Sequence, residues 1–548
     1  STYDPDDKPK SQQTPMHLLS MRPLLFWHLA ACLAICSISA NAWRLDNTAV
    51  RTSWGQQQQQ QQHQLRVTFQ LRGGADSNNQ ADDDVPPVVV PLIDRPRVMA
   101  KKKKALILLD AFCPYHGIFL ANRAKILYGV TIIPVLSDYM KGYFTLQQPE
   151  DLDRLLSMCM PSEDEKEHWC RPLKGYELVA VVCESDSGLA DAERLGILLN
   201  TTYANGFNEA RRNKYMMIEQ VQEAGMKVVK QRLCESVDGA CNFAKELGID
   251  SSQSDDDDVC VVVKPVRGVG SEDVFLCKDI DSVKSAFENI HGGTVFGSPK
   301  EKHQAVLVQE FAVGQEFALD VVSKNGEHKV AAVWIYDKRP ANGASFVYYA
   351  TKLYDGPHME EICKYVRKSL DALDVRWGIT HTEIILTADG PRLVEINCRQ
   401  HNMDFIPLTM ECIGYNIFDM LLAAYFGGED PYIYPAETEG ERLNWDLLPL
   451  NPLKRMNGAM IHIVNYANGT LTHLNEEALM EIQNMQSVMN MEIYPPFLHV
   501  GNKILPTVDI RTDAGWVQMV NPGREEFQKD YDRIIELMPT LFEVKNDS

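Results

Sequence analysis

The sequence predicts a multidomain fold of mixed α/β and α+β type, and three observations carry that expectation. The length of 548 residues exceeds one ordinary domain and suits about two to four. From 105 to 205, short apolar runs alternate with helical patterns, the signature of a parallel, Rossmann-like unit. Beyond 206, strand pairs and helices are mixed, and after Gly427-Gly428 the section 429–548 changes pattern again, with turn signals at Asn468-Gly469 and Asn521-Pro522-Gly523.

In the first unit, Ala105–Leu109 reads as a buried strand ending at Asp110. Helical spacing follows at Gly117–Tyr128, a second strand at Thr131–Leu136 and a third at Leu178–Cys183. The last leads through Glu184–Gly188 into a helix near Ala190–Leu199. No Gly-x-Gly-x-x-Gly follows the first strand, which argues against a dinucleotide site. A helix is expected from Asn208 to Ala224, stopped by Gly225. The acidic stretch Ser251–Asp258 reads as an exposed loop, because consecutive aspartates lack the alternate spacing of calcium loops.

Composition narrows the function. A hydrophobic share of 45% and a charged share of 24% are those of a soluble globular protein. The net charge of -21 argues against nucleic acid or an anionic membrane as partner, yet leaves room for a small anion bound locally. The 13 cysteines contain no Cys-x-x-Cys pair, so they predict neither a disulfide framework nor a zinc site.

Residues 1–104 read as targeting sequence and linker. Met21-Arg22-Pro23 precedes an apolar run from Leu24 to Ile38 and the ending Ala40-Asn41-Ala42, a signal-peptide pattern. The run is short for a membrane anchor, and its removal would leave a mature form without stable membrane association. From Trp43, Arg44, Arg51, Arg66 and Arg72 stand against the single acid Asp46, a transit-peptide composition. Signal plus transit peptide resembles a bipartite plastid leader; a disordered tail of a secreted or endomembrane-lumen protein is the alternative, with the Gln56–Gln62 tract compatible with both.

Three segments carry chemistry. Val259–Val263 is an apolar strand running into Lys264 and the loop Pro265–Ser271, in which Gly268 and Gly270 free backbone N–H groups beside a fixed cation. Polyphosphate needs that combination, although such a loop is as often an ordinary turn. Arg211-Arg212-Asn213-Lys214 offers further cations. Downstream, Val306–Glu310, a bend, and Gly314–Phe317 can present backbone groups to an adenine edge, with Glu316 accepting from ribose hydroxyls.

The third segment is a hairpin, Thr380–Thr387 and Pro391–Arg399 around Ala388–Gly390. Alternation puts His381 and Glu383 on one face, and Glu395, Asn397 and Arg399 on one face. With a three-residue loop, Thr387 pairs with Pro391, Glu383 with Glu395, and His381 with Asn397. Like charges facing each other destabilise a strand pair, whereas Mg²⁺ between two carboxylates and an amide oxygen would reverse the sign. A solvated pair of glutamates is the equal alternative on the hairpin alone. Zinc is disfavoured, because no helix or cysteine spacing brings His381 and His401 together.

In this order the segments resemble the ATP-grasp superfamily, across about 206–428, with a pre-ATP-grasp unit at 105–205 and a smaller domain at 429–548. The segment from Glu184 to Asn200, with Val333–Lys338, Asn342-Gly343 and Glu395–Arg399, is most similar to amino-acid ligases of the dipeptide and carnosine-synthase type. The resemblance implies a two-lobe core joining a carboxylate to an amine through an acyl phosphate, with ATP and Mg²⁺. Lys214 and Lys264 would bind phosphates, Gly268, Gly270 and Ser271 would form the flap, and Gln309, Glu310, Ala312 and Glu316 would hold the nucleoside. Glu383, Glu395 and Asn397 would hold Mg²⁺; Arg399 and Lys264 would be catalytic, Arg399 at the substrate carboxylate and the oxyanion. The partners implied are small-molecule carboxylate and amine, and a homodimer is compatible. Two departures stand nearest the substrate: Cys398 replaces the usual proline, and Gln400-His401-Asn402 the usual glycine-rich continuation. A carboxylase, a thioester-forming ligase and an inactive nucleotide-binding regulator are the alternatives.

Overall fold

The structure, a computed structural model, describes residues 102–110, 114–137, 139–140, 156–157, 167, 170–249, 259–270, 272–427 and 442–545. These belong to one compact unit, Thr68–Ser548. The leader, the linker up to residue 101, the Ser251–Asp258 loop and Ser271 lie outside the described residues, while Lys103 and Lys104, expected in the linker, belong to the first strand.

Lys103–Leu109 is apolar on both faces, so it takes an inner position in a parallel sheet. The sheet order is Leu156–Ser157, Thr131–Leu136, Lys103–Leu109, Tyr176–Cys183. Leu106 and Leu108 meet Leu120, Ala124 and Leu127 of helix Phe119–Tyr128. Ala105, Ile107 and Leu109 meet Leu189, Ala192 and Leu195 of helix Leu189–Leu198 on the other face. The expected Rossmann-like unit is therefore covered on both sides.

The helix expected from Asn208 is broken by two caps in succession. Asn208 accepts from the Ala210 N–H and closes a short 3₁₀ turn, Glu209–Arg211. Asn213 then accepts from the N–H groups of Tyr215 and Met216, so the α-helix starts at Lys214 and runs to Glu223. This places Lys214 in the first turn of the helix.

Two antiparallel sheets follow. A four-stranded sheet has the order Gln231–Cys234, Val306–Glu310, Val261–Pro265, Phe275–Cys277. Helices Val237–Glu246 and Ile280–Ile290 cover it through Ala240, Phe243, Val283 and Phe287. An eight-stranded sheet has the order Gly390–Asn397, Trp377–Thr387, Gly314–Lys324, Glu327–Ala341, Ala344–Leu353, Asn457–His462, Gly515–Asn521, Val488–Ile493. The last three strands come from the C-terminal section, which also builds its own core with helices Glu476–Gln483 and Arg524–Leu537. That section has a separate core but shares the large sheet. No described helix is long and apolar enough to cross a membrane.

Candidate active site

The chain crosses from the four-stranded to the eight-stranded sheet at the bend after Glu310, and a cleft of about 220 Å³ lies between the two sheets. Gly314 permits the crossing: a Cβ there would stand 2.2 Å from the Leu386 carbonyl oxygen of the neighbouring strand. Lys214, Lys264, Gly268, Gly270, Gln309, Glu310, Ala312, Glu316, Glu383, Glu395, Asn397 and Arg399 all line the cleft. Eleven positions of separate sequence thus converge with Lys264, and Ser271 is the one assigned residue outside the described set.

The cations are held by acids of the chain itself. Lys264, buried within Val261–Pro265 rather than ending the strand before it, is pulled down to about 8 by burial and by the Lys214 charge. Lys214 contacts Glu395 Oε2 at 2.7 Å and donates to the Gly268 carbonyl at 3.0 Å, so it reaches both the carboxylates and the glycine loop. Gly270 has φ +59, a left-handed conformation that glycine adopts without strain. Arg211 and Arg212, beside Lys214 in the sequence, instead pair with Glu193 at 2.8 and 3.1 Å, and Arg211 also donates to the Leu373 and Asp374 carbonyls at 3.0 and 2.7 Å, which ties the first unit to the turn after helix Met359–Ala372.

A prediction follows for Lys264. Its ammonium titrates below the ordinary 10.5, so stability rises with pH between about 8 and 10.5, where the unfolded chain binds the extra proton. Polyphosphate beside it restores the charge, so binding takes up a proton and ATP affinity falls as pH rises through about 8. Calorimetric titration of metal-free ATP in buffers of different ionisation heat reads that proton. Zero uptake near this pH would place the phosphates elsewhere.

The carboxylates face each other as the pairing count anticipates, by a different route. The turn has two residues, not three: Thr387 pairs with Gly390 and Leu386 with Pro391. A bulge then places two residues, Val394 and Glu395, where the partner strand has one step, so Glu383 faces Glu395 and His381 faces Asn397. Burial raises the Glu383 carboxyl, but the His381 hydrogen bond and the Lys338 charge overcome it, so Glu383 stays ionised well below its usual range. Burial likewise opposes, and the Lys214 charge then lowers, Glu395. Asn397 Nδ2 donates to Glu395 Oε1 at 2.9 Å, which leaves its amide oxygen available as a ligand.

The nucleoside residues are also engaged. Gln309 donates through Nε2 to Gln231 Oε1 at 2.9 Å, and Glu310 Oε1 accepts the Lys230 N–H at 2.9 Å. Glu316, assigned to ribose, meets Lys338 Nζ with both oxygens at 2.7 Å. Burial works against the Lys338 charge, but Glu316 wins and holds the ammonium well above its ordinary range. Lys338, the last residue of the segment Val333–Lys338, is a site cation to which the resemblance assigns no role.

Arg399 is fixed by a residue from the first unit. Its Nε and Nη2 donate to the two oxygens of Asp186 at 2.5 and 2.9 Å, and Nη1 donates to the Gln400 carbonyl at 2.7 Å. The guanidinium is buried, and its fork has more N–H donors than these contacts use. Asp186 was legible only as part of the polar turn Glu184–Gly188.

His381 and His401, which spacing alone leaves apart, come together: their rings stack with centroids 4.0 Å apart beside Asp320. Burial lowers His381, but hydrogen bonds to Asp320 and Glu383 prevail and raise it to about 9. Burial and the His381 charge push His401 down to about 4. The two histidines therefore meet, contrary to the expectation from their spacing. The loop after Arg399 brings them together, held by Gln400 Nε2 to His116 Nδ1 at 3.2 Å and by His116 Nε2 to the Met403 carbonyl at 3.0 Å. Asp320 carried a signal in the sequence, as the one acid within the apolar strand Phe317–Val322.

The residues fit the groups that an ATP-dependent site requires. Two ionised, half-buried carboxylates and an amide oxygen are hard ligands suited to Mg²⁺, and two lysines with a glycine loop suit polyphosphate.

Comparison with known proteins adds the family. Residues 258–404 match the model of the ATP-grasp domain. The chain carries an ATP-grasp domain. It is 29% identical over 258 residues to dapdiamide A synthase of Enterobacter agglomerans, covering 46% of this chain and 58% of that one. It is 24% identical over 203 residues to phosphoribosylamine–glycine ligase of Methanopyrus kandleri, covering 32% of this chain and 41% of that one. The chain thus spans less than two thirds of the curated relatives it matches. Among solved structures, an L-amino acid ligase from Bacillus licheniformis aligns with TM-score 0.57 at 18% identity, over 82% of this chain and all of that one. Carboxyaminoimidazole ribonucleotide synthase from Aspergillus clavatus, complexed with ATP, aligns with TM-score 0.53 at 14% identity, over 80% and 98%. These two likenesses show a mixed α/β multidomain fold shared with both structures.

Proposed function

We propose that this chain is an ADP-forming, magnesium-dependent carboxylate–amine ligase acting on an amino acid or a similar carboxylate. The observation that carries the reading is the opposition of Glu383 and Glu395 across a strand pair at the edge of the large sheet, in the cleft that also holds Lys214 and Lys264. Likeness to dapdiamide A synthase, and the fold of an L-amino acid ligase, support an amino-acid substrate. In this reading a substrate carboxylate oxygen attacks the γ-phosphorus of ATP and the bond to ADP breaks. The amine nitrogen then attacks the acyl carbon, phosphate leaves, and an amide remains. Lys214 and Lys264 steady the phosphates, and Arg399, aimed by Asp186, holds the carboxylate with its spare donors. Mg²⁺ held by Glu383, Glu395 and Asn397 would neutralise charge on the transferring group. The test supplies amino acids in pairs and follows ADP release and product mass. ADP release that needs both members, with a product equal to their sum less water, supports the reading; release that instead needs bicarbonate or a thiol overturns it.

The N-terminal sequence supports delivery through a signal peptide ending at Ala42, and the Arg-rich stretch beyond it supports a plastid destination. N-terminal sequencing of protein from its native source should find Met21–Ala42 removed; recovering that segment on a membrane contradicts this.

A further inference from the structure

We propose that Asp320, His381 and His401 form a binding site for a zinc-type divalent cation, separate from the magnesium carboxylates. The three residues place one ligand atom each within 4.8 Å of the others. His381 Nδ1 stands 3.4 Å and His401 Nδ1 3.7 Å from the same oxygen, Asp320 Oδ1. The longer distance is beyond a hydrogen bond, and His401 Nδ1 is buried without a hydrogen-bond partner. Both distances are close to the separation of two ligand atoms on one tetrahedral ion, about 3.4 Å when each bond is about 2.1 Å.

The outer contacts have the arrangement that histidine ligands need. A metal-bound imidazole carries its proton on the far nitrogen and gives it to a second partner. His381 Nε2 lies 3.3 Å from Glu383 Oε1, and His401 Nε2 lies 3.3 Å from Tyr336 Oη. Tyr336 in turn donates to Glu383 Oε1 at 3.2 Å. With both Nδ1 atoms turned to a cation, every donor in this chain finds an acceptor. Asp320 is oriented in the same way: Trp334 Nε1 donates to Oδ2 at 2.6 Å, which leaves Oδ1 as the ligand oxygen. Without a cation and with the His401 proton on Nε2, a buried lone pair would face a carboxylate. Two imidazoles and one carboxylate suit zinc better than magnesium, which prefers oxygen alone.

The cluster touches the carboxylate pair only through His381 and Tyr336, so a cation there fixes the orientation of Glu383 without replacing the ion it binds. The readout is metal content of the full chain, measured without turnover, so its failure leaves the ligase reading intact. After loading with zinc and dialysis against magnesium buffer, elemental analysis is expected to find one zinc per chain. His401→Gln and Asp320→Asn should each lose it, whereas Glu395→Gln should keep it. Cobalt loaded in place of zinc should show tetrahedral d–d absorption, abolished in His401→Gln; circular dichroism checks that each variant folds. Absence of zinc from the folded wild type, or retention by folded His401→Gln, overturns the site.

Discussion

Glu395→Gln is expected to cut ADP formation by at least about 100- to 1000-fold, the scale of losing a preorganised electrostatic group, while leaving the fold intact. The glutamine has nearly the shape of the glutamate and can still accept from Asn397, which now donates to Glu395 Oε1 at 2.9 Å. What it removes is one of two ionised carboxylates facing each other in the register Glu383 to Glu395. Lys214, now 2.7 Å from Glu395 Oε2, would lose its counter-charge and become freer to meet phosphate. Metal-free ATP affinity should therefore hold or strengthen, while magnesium no longer improves it. Titrations of ATP with and without magnesium, beside ADP release, separate these effects. Wild-type turnover with normal magnesium dependence would mean that the hairpin is not the metal site.

Arg399→Lys is expected to lose ligation by a similar factor of about 100 or more while still binding ATP. A lysine keeps the charge but not the planar fork, and only the fork can grip both oxygens of Asp186 and keep donors for a substrate carboxylate. The same change loosens a buried tie between the first unit and the hairpin, so melting temperature should fall as well. Asp186→Asn supplies the control, because it leaves the guanidinium in place and weakens only its aim. If Arg399 were merely structural, both variants would melt earlier with ligation per folded molecule unchanged.

How far the sequence leads depends on the range of the forces involved. The apolar runs of the first unit, the glycine loop after Lys264 and the alternation of the two hairpin strands are local patterns, and the structure has the elements they predict. The Glu383–Glu395 opposition was legible only because two local features offset each other. The turn is one residue shorter than counted, and the bulge near Val394 restores the step. The clue lay in Leu393 and Ile396, both in the core although an unbroken strand would turn them to opposite faces. Contacts between distant segments were not legible. Nothing local ties Asp186 to Arg399, Lys338 to Glu316, or the loop of His401 to His381, because these pairs form only when separate sheets and loops pack. The helix start is an intermediate case, since two consecutive asparagine caps compete with one continuous helix at Asn208–Asn213.

The ligase account rests on a carboxylate being activated by phosphoryl transfer in the cleft between the two sheets. Its most direct test uses the amino-acid pair that supports ADP release, with heavy oxygen in the carboxylate of the activated partner. Attack of that oxygen on the γ-phosphorus, followed by loss of phosphate to the amine, must carry one labelled oxygen into inorganic phosphate for every amide formed. The account predicts that transfer, together with ADP as the nucleotide product. Unlabelled phosphate, or AMP with pyrophosphate in place of ADP, would contradict it.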